Sequence, residues 1–476
     1  MAIRLKVALV RNESMDYHRI PPFHPSIEYP EYPFGKEISP HKNEVYGAIR
    51  ELLYKLGLDS VNFGMKNWNP FRGIIKPGNR VLIVPNLVRH YNPQGGTDQL
   101  LTHGSVLRAA IDYVYIALNQ DGKITIGCAP VQSGDFYKAL EASGIKDVVD
   151  FYKKSDIEIK VADFRAKFLK KWNKYKVSED LRTKVIDLGR DSEFAEIADQ
   201  YEKFRVTNHN PREMTKYHNR NRNAYVVPEE VLDSDVIINL PKLKTHRKAG
   251  ITCALKNSIG CCASKDCLPH HRKGAVEEGG DEYLYKSFRK AIITKLNEMN
   301  DIYENRFVSF LLIRLVSALI FTRHLFPFKD EFFGGSWYGN DTIPRAISDL
   351  NKIMAYADKN GELKEEKQRR LFTIVDAIIA GEGEGPLEPK PKKAGFLVAG
   401  ENSVAVDLVC AKLMGFSYER IPLFKHVMRN GRFALFEHSL KDLEICFKGT
   451  IKYEQLRPIS DRFIPSKGWM GHIELT

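Results

Sequence analysis

The chain has 476 residues, 43% of them hydrophobic and 28% charged, with a formal net charge of +12. That usage excludes collagen-like, prion-like and wholly disordered classes, and the length allows one large unit or two domains sharing an interface. The positive excess suits nucleic acid, an anionic membrane or an acidic small molecule, and its sign alone does not choose among them.

Strand-then-helix alternation predicts an α/β fold of two halves, with mostly parallel sheets covered by helices. Residues 5–10 read as an opening strand, followed by a packed Pro- and Tyr-rich loop through Pro40. Val45, Ile49, Leu52, Leu53 and Leu56 mark one helix face, closed by Gly57. The run Val81-Leu82-Ile83-Val84 predicts a buried strand stopped by Pro85-Asn86. A helix over 105–118, a strand over 123–128 and a helix over 134–142 complete an N-terminal half, 1–165. Residues 166–228 are polar, basic and weakly periodic, as a surface insertion or connector would be.

The C-terminal half, 229–476, opens on a strand over 236–240 and runs through a polar stretch, 242–283, into helix over 284–325. Its most apolar part, 307–321, contains Arg314 and falls short of the ~20 residues that span a bilayer. It reads as a buried helix, with a helix lying on a membrane surface as the alternative. A Gly-rich loop over 334–340 leads into a helix opened by Asp341, with Pro344 in its first turn and Ile347, Leu350 and Met354 inward. Strands over 372–375 and 395–398 follow, then a helix from Asn402 with Val406, Val409 and Leu413 inward and Gly415 at its end. Seven cysteines, unevenly placed, do not form a secretory disulfide framework. The start Met1-Ala2-Ile3-Arg4-Leu5 lacks a signal peptide's apolar core, so a reducing, cytoplasmic setting is expected.

Functional side chains are densest over 239–246, Asn-Leu-Pro-Lys-Leu-Lys-Thr-His, directly after an apolar strand. The carboxyl ends of strands in open α/β sheets are where ligand crevices form. Lys242, Lys244, Lys256 and Arg272 are candidate anion holders, since lysines bind as point charges and arginine adds a bidentate grip. Asn257, Asp281 and Trp337 are further substrate-binding candidates. His246, His270 and His271 are the acid–base candidates, because imidazole changes charge near neutral pH. The stretch 376–386 holds Asp376, Glu382 and Glu384 among glycines; the acids would repel phosphate and no Lys-Ser/Thr pair follows, so it is not a P-loop. Glu382 is a candidate base, and Asp376 with Glu384 a candidate site for Mg²⁺ or another divalent metal. Cys253, Cys261, Cys262 and Cys267 could hold a metal, although their spacing fits neither paired CxxC zinc sites nor ferredoxin clusters. The basic side chains Arg165, Lys167, Lys170, Lys171, Lys174 and Lys176, interleaved with Phe164, Phe168, Trp172 and Tyr175, read as an amphipathic segment with a solvated basic face, or as a nucleic-acid or membrane-surface stripe.

The string 239–246, with Leu255-Lys256-Asn257 and Gly260, then Asp376 with Glu382-Gly383-Glu384-Gly385-Pro386, then Ala405-Val406-Asp407 with Leu413-Met414-Gly415, resembles domain-of-unknown-function family 362. Val84-Pro85-Asn86, Thr102-His103-Gly104-Ser105 and Ala129-Pro130 match its N-terminal half. Leu268-Pro269-His270-His271 and Gly280-Asp281-Glu282-Tyr283 look like a subgroup found among surface-polysaccharide genes. The resemblance implies an α/β fold and assigns no reaction. Val84 stands where the family usually has lysine, and Cys128 where it usually has an acid. Some relatives carry a ferredoxin-like cysteine segment that this chain lacks, which weakens an electron-transfer role. The N-terminal half is also distantly similar to lactate-racemase-type proteins, a likeness of fold that carries no mechanism.

The reading is an enzyme acting on an anionic small molecule, a phosphorylated or carboxylated sugar or nucleotide sugar, by acid–base or metal-assisted chemistry. A metal or iron–sulfur protein is one rival, and a nucleic-acid or membrane-surface binding module is another.

Overall fold

The apolar runs predicted as strands lie side by side in one sheet. The computed structural model describes residues 5–170, 174–302, 306–321 and 332–476. The sheet's described strands are β1 (Leu5–Arg11), β2 (Arg80–Pro85), β3 (Lys123–Cys128), β4 (Ile159–Asp163), β5 (Val236–Leu240), β6 (Lys242–His246), β7 (Gly250–Thr252), β8 (Arg370–Glu384), β9 (Glu388–Gly400), β10 (Leu443–Phe447) and β11 (Gly449–Lys452). Their order is β11-β10-β1-β9-β8-β5-β2-β3-β4, with β6 pairing both β8 and β7. The run β8-β5-β2-β3-β4 is parallel throughout, as are β1 with β10 and β6 with β8. Antiparallel pairs join β1 to β9, β8 to β9, β10 to β11 and β6 to β7.

The fold is α/β, as the alternation predicts. Strands expected from 1–165 and from 229–476 interleave in this sheet, with β2 directly beside β5. Both are continuous apolar runs because both faces of a parallel sheet are covered. The helices used below are α1 (Glu44–Lys55), α2 (Gly104–Leu118), α3 (Ala254–Asn257), α4 (Phe288–Ile302), α5 (Arg306–Phe321), α6 (Thr342–Tyr356) and α7 (Ser403–Met414). The predicted stops hold: Gly57 and Gly415 take φ of +79° and +87° after α1 and α7. Asn402 caps α7 by accepting from the Ala405 N–H at 3.0 Å.

Four expectations need correction. Residues 242–246 form strand β6: Pro241 ends β5, its carbonyl accepts from the Asp376 N–H, and the chain steps sideways onto the far part of β8. The acidic, Gly-rich stretch after Val375 therefore belongs to the long β8–β9 hairpin. The basic stretch 165–176 is a short hairpin of Lys167–Lys170 and Lys174–Val177, with Lys171 and Trp172 outside the described residues. In it Arg165 is a buried cation: it pairs with Asp163 at 2.6 Å and donates to the Val131 and Gly134 carbonyls. Last, 307–321 is helical but largely uncovered. Leu312 is buried, whereas Phe310, Leu311, Ile313, Leu315 and Ile320 are 43% to 55% exposed. The stretch 322–325, also expected as helix, lies outside the described residues. No described helix is long and apolar enough to cross a membrane.

Candidate functional site

At the carboxyl ends of β2, β3 and β5, where a parallel sheet opens a crevice, lies a cavity of about 530 Å³. That size suits a small molecule. Its wall includes Asn86 after β2, Cys128 at the end of β3, and His246, Lys248, Lys256, Lys265 and His270 from the polar stretch. Arg89 and Arg247 add further cations, and none of the described lining residues is Asp or Glu.

Burial and mutual repulsion set the charge state. The Lys256 ammonium is desolvated and lies in the field of Lys265 and Lys248, so its pKa falls to about 7. Burial and then Arg247 bring Lys248 down to about 8, and burial lowers Lys265. The buried Thr252 hydroxyl and Gln132 Oε1 in the same wall have no hydrogen-bond partner among the described residues. Burial pushes the Cys128 thiol up to about 12, so it is neutral. The wall thus combines several cations and unsatisfied polar atoms with no carboxylate among its described residues.

Two imidazoles in this wall are held as opposite tautomers. His270 Nδ1 lies 2.7 Å from the Leu268 carbonyl, which only accepts, so Nδ1 carries the proton and Nε2 has the lone pair. His246 Nδ1 instead accepts from the Lys248 and Ala249 N–H groups, both at 3.0 Å, so its Nε2 carries the proton. Burial first, and then nearby lysines, hold both rings well below the usual imidazole pKa, so both are neutral at pH 7. One offers a base and the other a hydrogen-bond donor.

Beneath the cavity a buried polar ladder fixes the floor. Lys244 Nζ donates to Asn86 Oδ1 at 2.6 Å and to the Leu100 carbonyl at 2.7 Å. Asn86 donates to Asn257 Oδ1, and Asn257 donates to Asn239 Oδ1 and the Val84 carbonyl. Asp407 of α7 accepts from the Ala254 and Leu255 N–H groups at the start of α3, the short helix that carries Lys256 and Asn257. Lys244 is thus a positioning residue, and Asn257 is one that also lines the cavity.

Several sequence candidates lie elsewhere. Lys242 is fully buried against Asp376 at 2.6 Å, with the Tyr17 hydroxyl bridging them. Asp376 and Glu384 do not converge on a metal: eight residues of extended strand separate them, roughly 25 Å. Glu382 is turned away from the cavity, accepting from the Ile464 N–H at 3.0 Å and lying 3.4 Å from Lys392. Glu384 accepts from the Lys467 N–H. What brings the hairpin to β6 is its backbone: Thr245 donates to the Gly383 carbonyl and the Arg247 N–H to the Gly385 carbonyl. A Cβ at Gly385 would sit 2.0 Å from the Thr245 carbonyl oxygen, so the glycine serves that close approach rather than a ligand.

Arg272, Asp281 and Trp337 form a brace behind the cavity. Asp281 pairs with Arg272 at 3.6 Å and accepts from the Asp341 and Thr342 N–H groups and the Thr342 hydroxyl, which caps α6. The buried Trp337 indole donates to the Asp281 carbonyl. His271 is buried with no partner for Nδ1 and does not line the cavity. The cysteines separate: Cys262 and Cys267 lie 3.6 Å apart, Cys253 faces Asp407 and Cys410, and Cys261 belongs to the core. Among the described residues no three His, Cys, Asp or Glu side chains form a metal-holding group.

The model of the family described as Domain of unknown function (DUF362) matches 178–412, the segment that supplies His246, Lys248, Lys256, Lys265 and His270. The rest of the wall, Asn86, Arg89, Cys128 and Gln132, comes from outside the DUF362 segment. The chain is 22% identical over 375 residues to a thylakoid-associated protein of Synechocystis sp., covering 79% of this chain and 71% of the relative. A solved protein from Thermotoga maritima is similar at 12% identity and a TM-score of 0.29, over 74% of this chain and 56% of that one.

Sequence reasoning includes Lys248 and Lys265 in the polar stretch without singling them out, and does not place 206–209 in the site. Lys248 and Lys265 stood inside the polar stretch with nothing to set them apart from solvated lysines. Val206, Thr207, Asn208 and His209 come from the weakly periodic connector, which contributes to the cavity wall without any local pattern to announce it.

Proposed function

We propose that the cavity binds an anionic small molecule, a phosphorylated or carboxylated sugar or nucleotide sugar, and transfers a proton on it. The observation that carries this reading is a wall with Lys248, Lys256 and Lys265 and no described carboxylate. The anion would draw these lysines into their charged form. His270 Nε2 would take a proton from carbon beside a carbonyl or carboxyl group, and the His246 Nε2–H would stabilise the oxyanion that develops. Epimerisation or isomerisation fits this pairing, and a place in polysaccharide synthesis is one setting for such a sugar. Free thiols at all seven cysteines support a cytoplasmic setting.

Titration calorimetry with glucose 1-phosphate and UDP-glucuronate tests binding. At least one should bind saturably to the native protein, and a Lys248→Gln/Lys256→Gln variant should lose that binding. If neither probe binds, or the variant binds as tightly, the anion reading fails. Incubation of UDP-glucuronate, whose C5–H lies beside its carboxylate, with the protein in D₂O then tests chemistry: deuterium should enter at C5, and His270→Gln should keep binding while losing the exchange.

A further inference from the structure

Helix α5 carries an apolar surface that the cavity reading does not use. Its described side chains pack on α4 through one narrow face around Leu312, and the Arg289 guanidinium of α4 donates to the Leu319 carbonyl at 3.1 Å. At 100° per residue, Ile313, Phe310, Arg314, Leu311 and Leu315 spread over more than half of the helix circumference, and all five are exposed. Ile320 extends the arc, and Phe288 at the start of α4 is 83% exposed. So large a contiguous apolar surface marks an interaction site.

We propose that α5 docks the protein on an anionic lipid surface, lying in the plane of the headgroups. The width of the arc argues for lipid over a second copy of the chain, because one packed helix covers a stripe and acyl chains surround a rounded surface. Charge argues the same way. The sequence of α5 contains Arg306 and Arg314 and no acidic residue. A second copy meeting it by two-fold symmetry would set arginine against arginine and supply no carboxylate. Arg314, in the middle of the arc, lies over the Phe310 ring at 5.1 Å, and lipid phosphate would meet its guanidinium as the aliphatic stem stays among apolar side chains. The net charge of +12 draws the whole molecule to the same surface. Sixteen residues of helix are about 24 Å long, short of the ~30 Å hydrocarbon core, so α5 lies on the bilayer and does not cross it.

The attachment also reaches the cavity. Thr294 of α4 donates to Glu282, whose carbonyl accepts from the Gly335 N–H, in the loop whose Gly334 and Ser336 line the cavity. A docked α4–α5 pair would hold the cavity mouth near the bilayer.

Flotation with vesicles of phosphatidylcholine alone, and of phosphatidylcholine and phosphatidylglycerol in equal parts, tests the proposal. The full chain should float with the anionic vesicles and stay behind with the neutral ones. A Phe310→Ser/Ile313→Ser/Leu315→Ser variant should partition at least about tenfold less, with unchanged thermal unfolding. Arg314→Gln should reduce the preference for anionic lipid. Absence of flotation, or undiminished flotation of the triple variant, overturns the proposal. So does a concentration-dependent dimer that the triple substitution abolishes without any vesicle binding.

Discussion

A half-buried lysine without a carboxylate beside it gives up its proton easily, and Lys256, with its pKa brought down to about 7 by desolvation and by Lys265 and Lys248, is the clearest case here. Only its protonated form attracts an anion. Affinity for a sugar phosphate should therefore fall as pH rises through about 7 to 8, by roughly tenfold per pH unit for each proton taken up on binding. Calorimetry in buffers of different ionisation enthalpy measures that uptake, and Lys256→Gln should both weaken binding and flatten its pH dependence. The Lys242–Asp376 pair makes the opposite case, a cation neutralised within the fold at 2.6 Å. Asp376→Asn leaves a buried ammonium without its counter-charge and should cost about 3–5 kcal/mol in urea unfolding. The double replacement Lys242→Met/Asp376→Leu should recover most of that loss, since it removes both charges together.

At the scale of elements, the β8–β9 hairpin and β6 meet through backbone, and small residues make the meeting possible. Gly385→Ala would force a methyl into the Thr245 carbonyl and should destabilise by roughly 2–3 kcal/mol, read from the urea midpoint. Gly431→Ala, whose added Cβ meets nothing within 4 Å, is the matched control and should change little. Much of this architecture was legible beforehand. The apolar runs at 81–84 and 236–240, and the caps Gly57, Asn402 and Gly415, announced their elements because local propensity and burial agree there. Strand β6 was not legible, since lysines, threonine and histidine resemble loop until Pro241 and β8 are seen to shift the chain into a new pairing. The site was half legible for a related reason. His246, His270, Lys256 and Asn257 cluster in sequence as well as in space. The roles of Glu382, Arg272, Asp281 and Trp337 depend on partners far along the chain that no local pattern encodes. The apolar content of α5 was plain, but its exposure is a property of what the rest of the molecule leaves uncovered.

For the molecule as a whole, the depressed lysines tie stability to pH. In the unfolded chain Lys248 and Lys256 stay protonated up to about 10.5, whereas in the fold they release protons near 8 and 7. Between about 7 and 10.5 the unfolded state binds more protons, so their contribution to stability rises with pH across that window. Scanning calorimetry of the unliganded protein should show a steeper gain on raising the pH than Lys248→Met/Lys256→Met does, and a saturating anion should flatten the gain. The strand order carries another consequence, for the nascent chain. Strand β1 leaves the ribosome long before either of its neighbours, β9 and β10, which begin only at Glu388 and Leu443. At about 5–20 residues per second, β1 waits on the order of half a minute or longer before either edge can pair. The apolar segment Leu5–Arg11 spends that time as a natural client for a chaperone, and the central sheet closes only after β9 and β10 have been made.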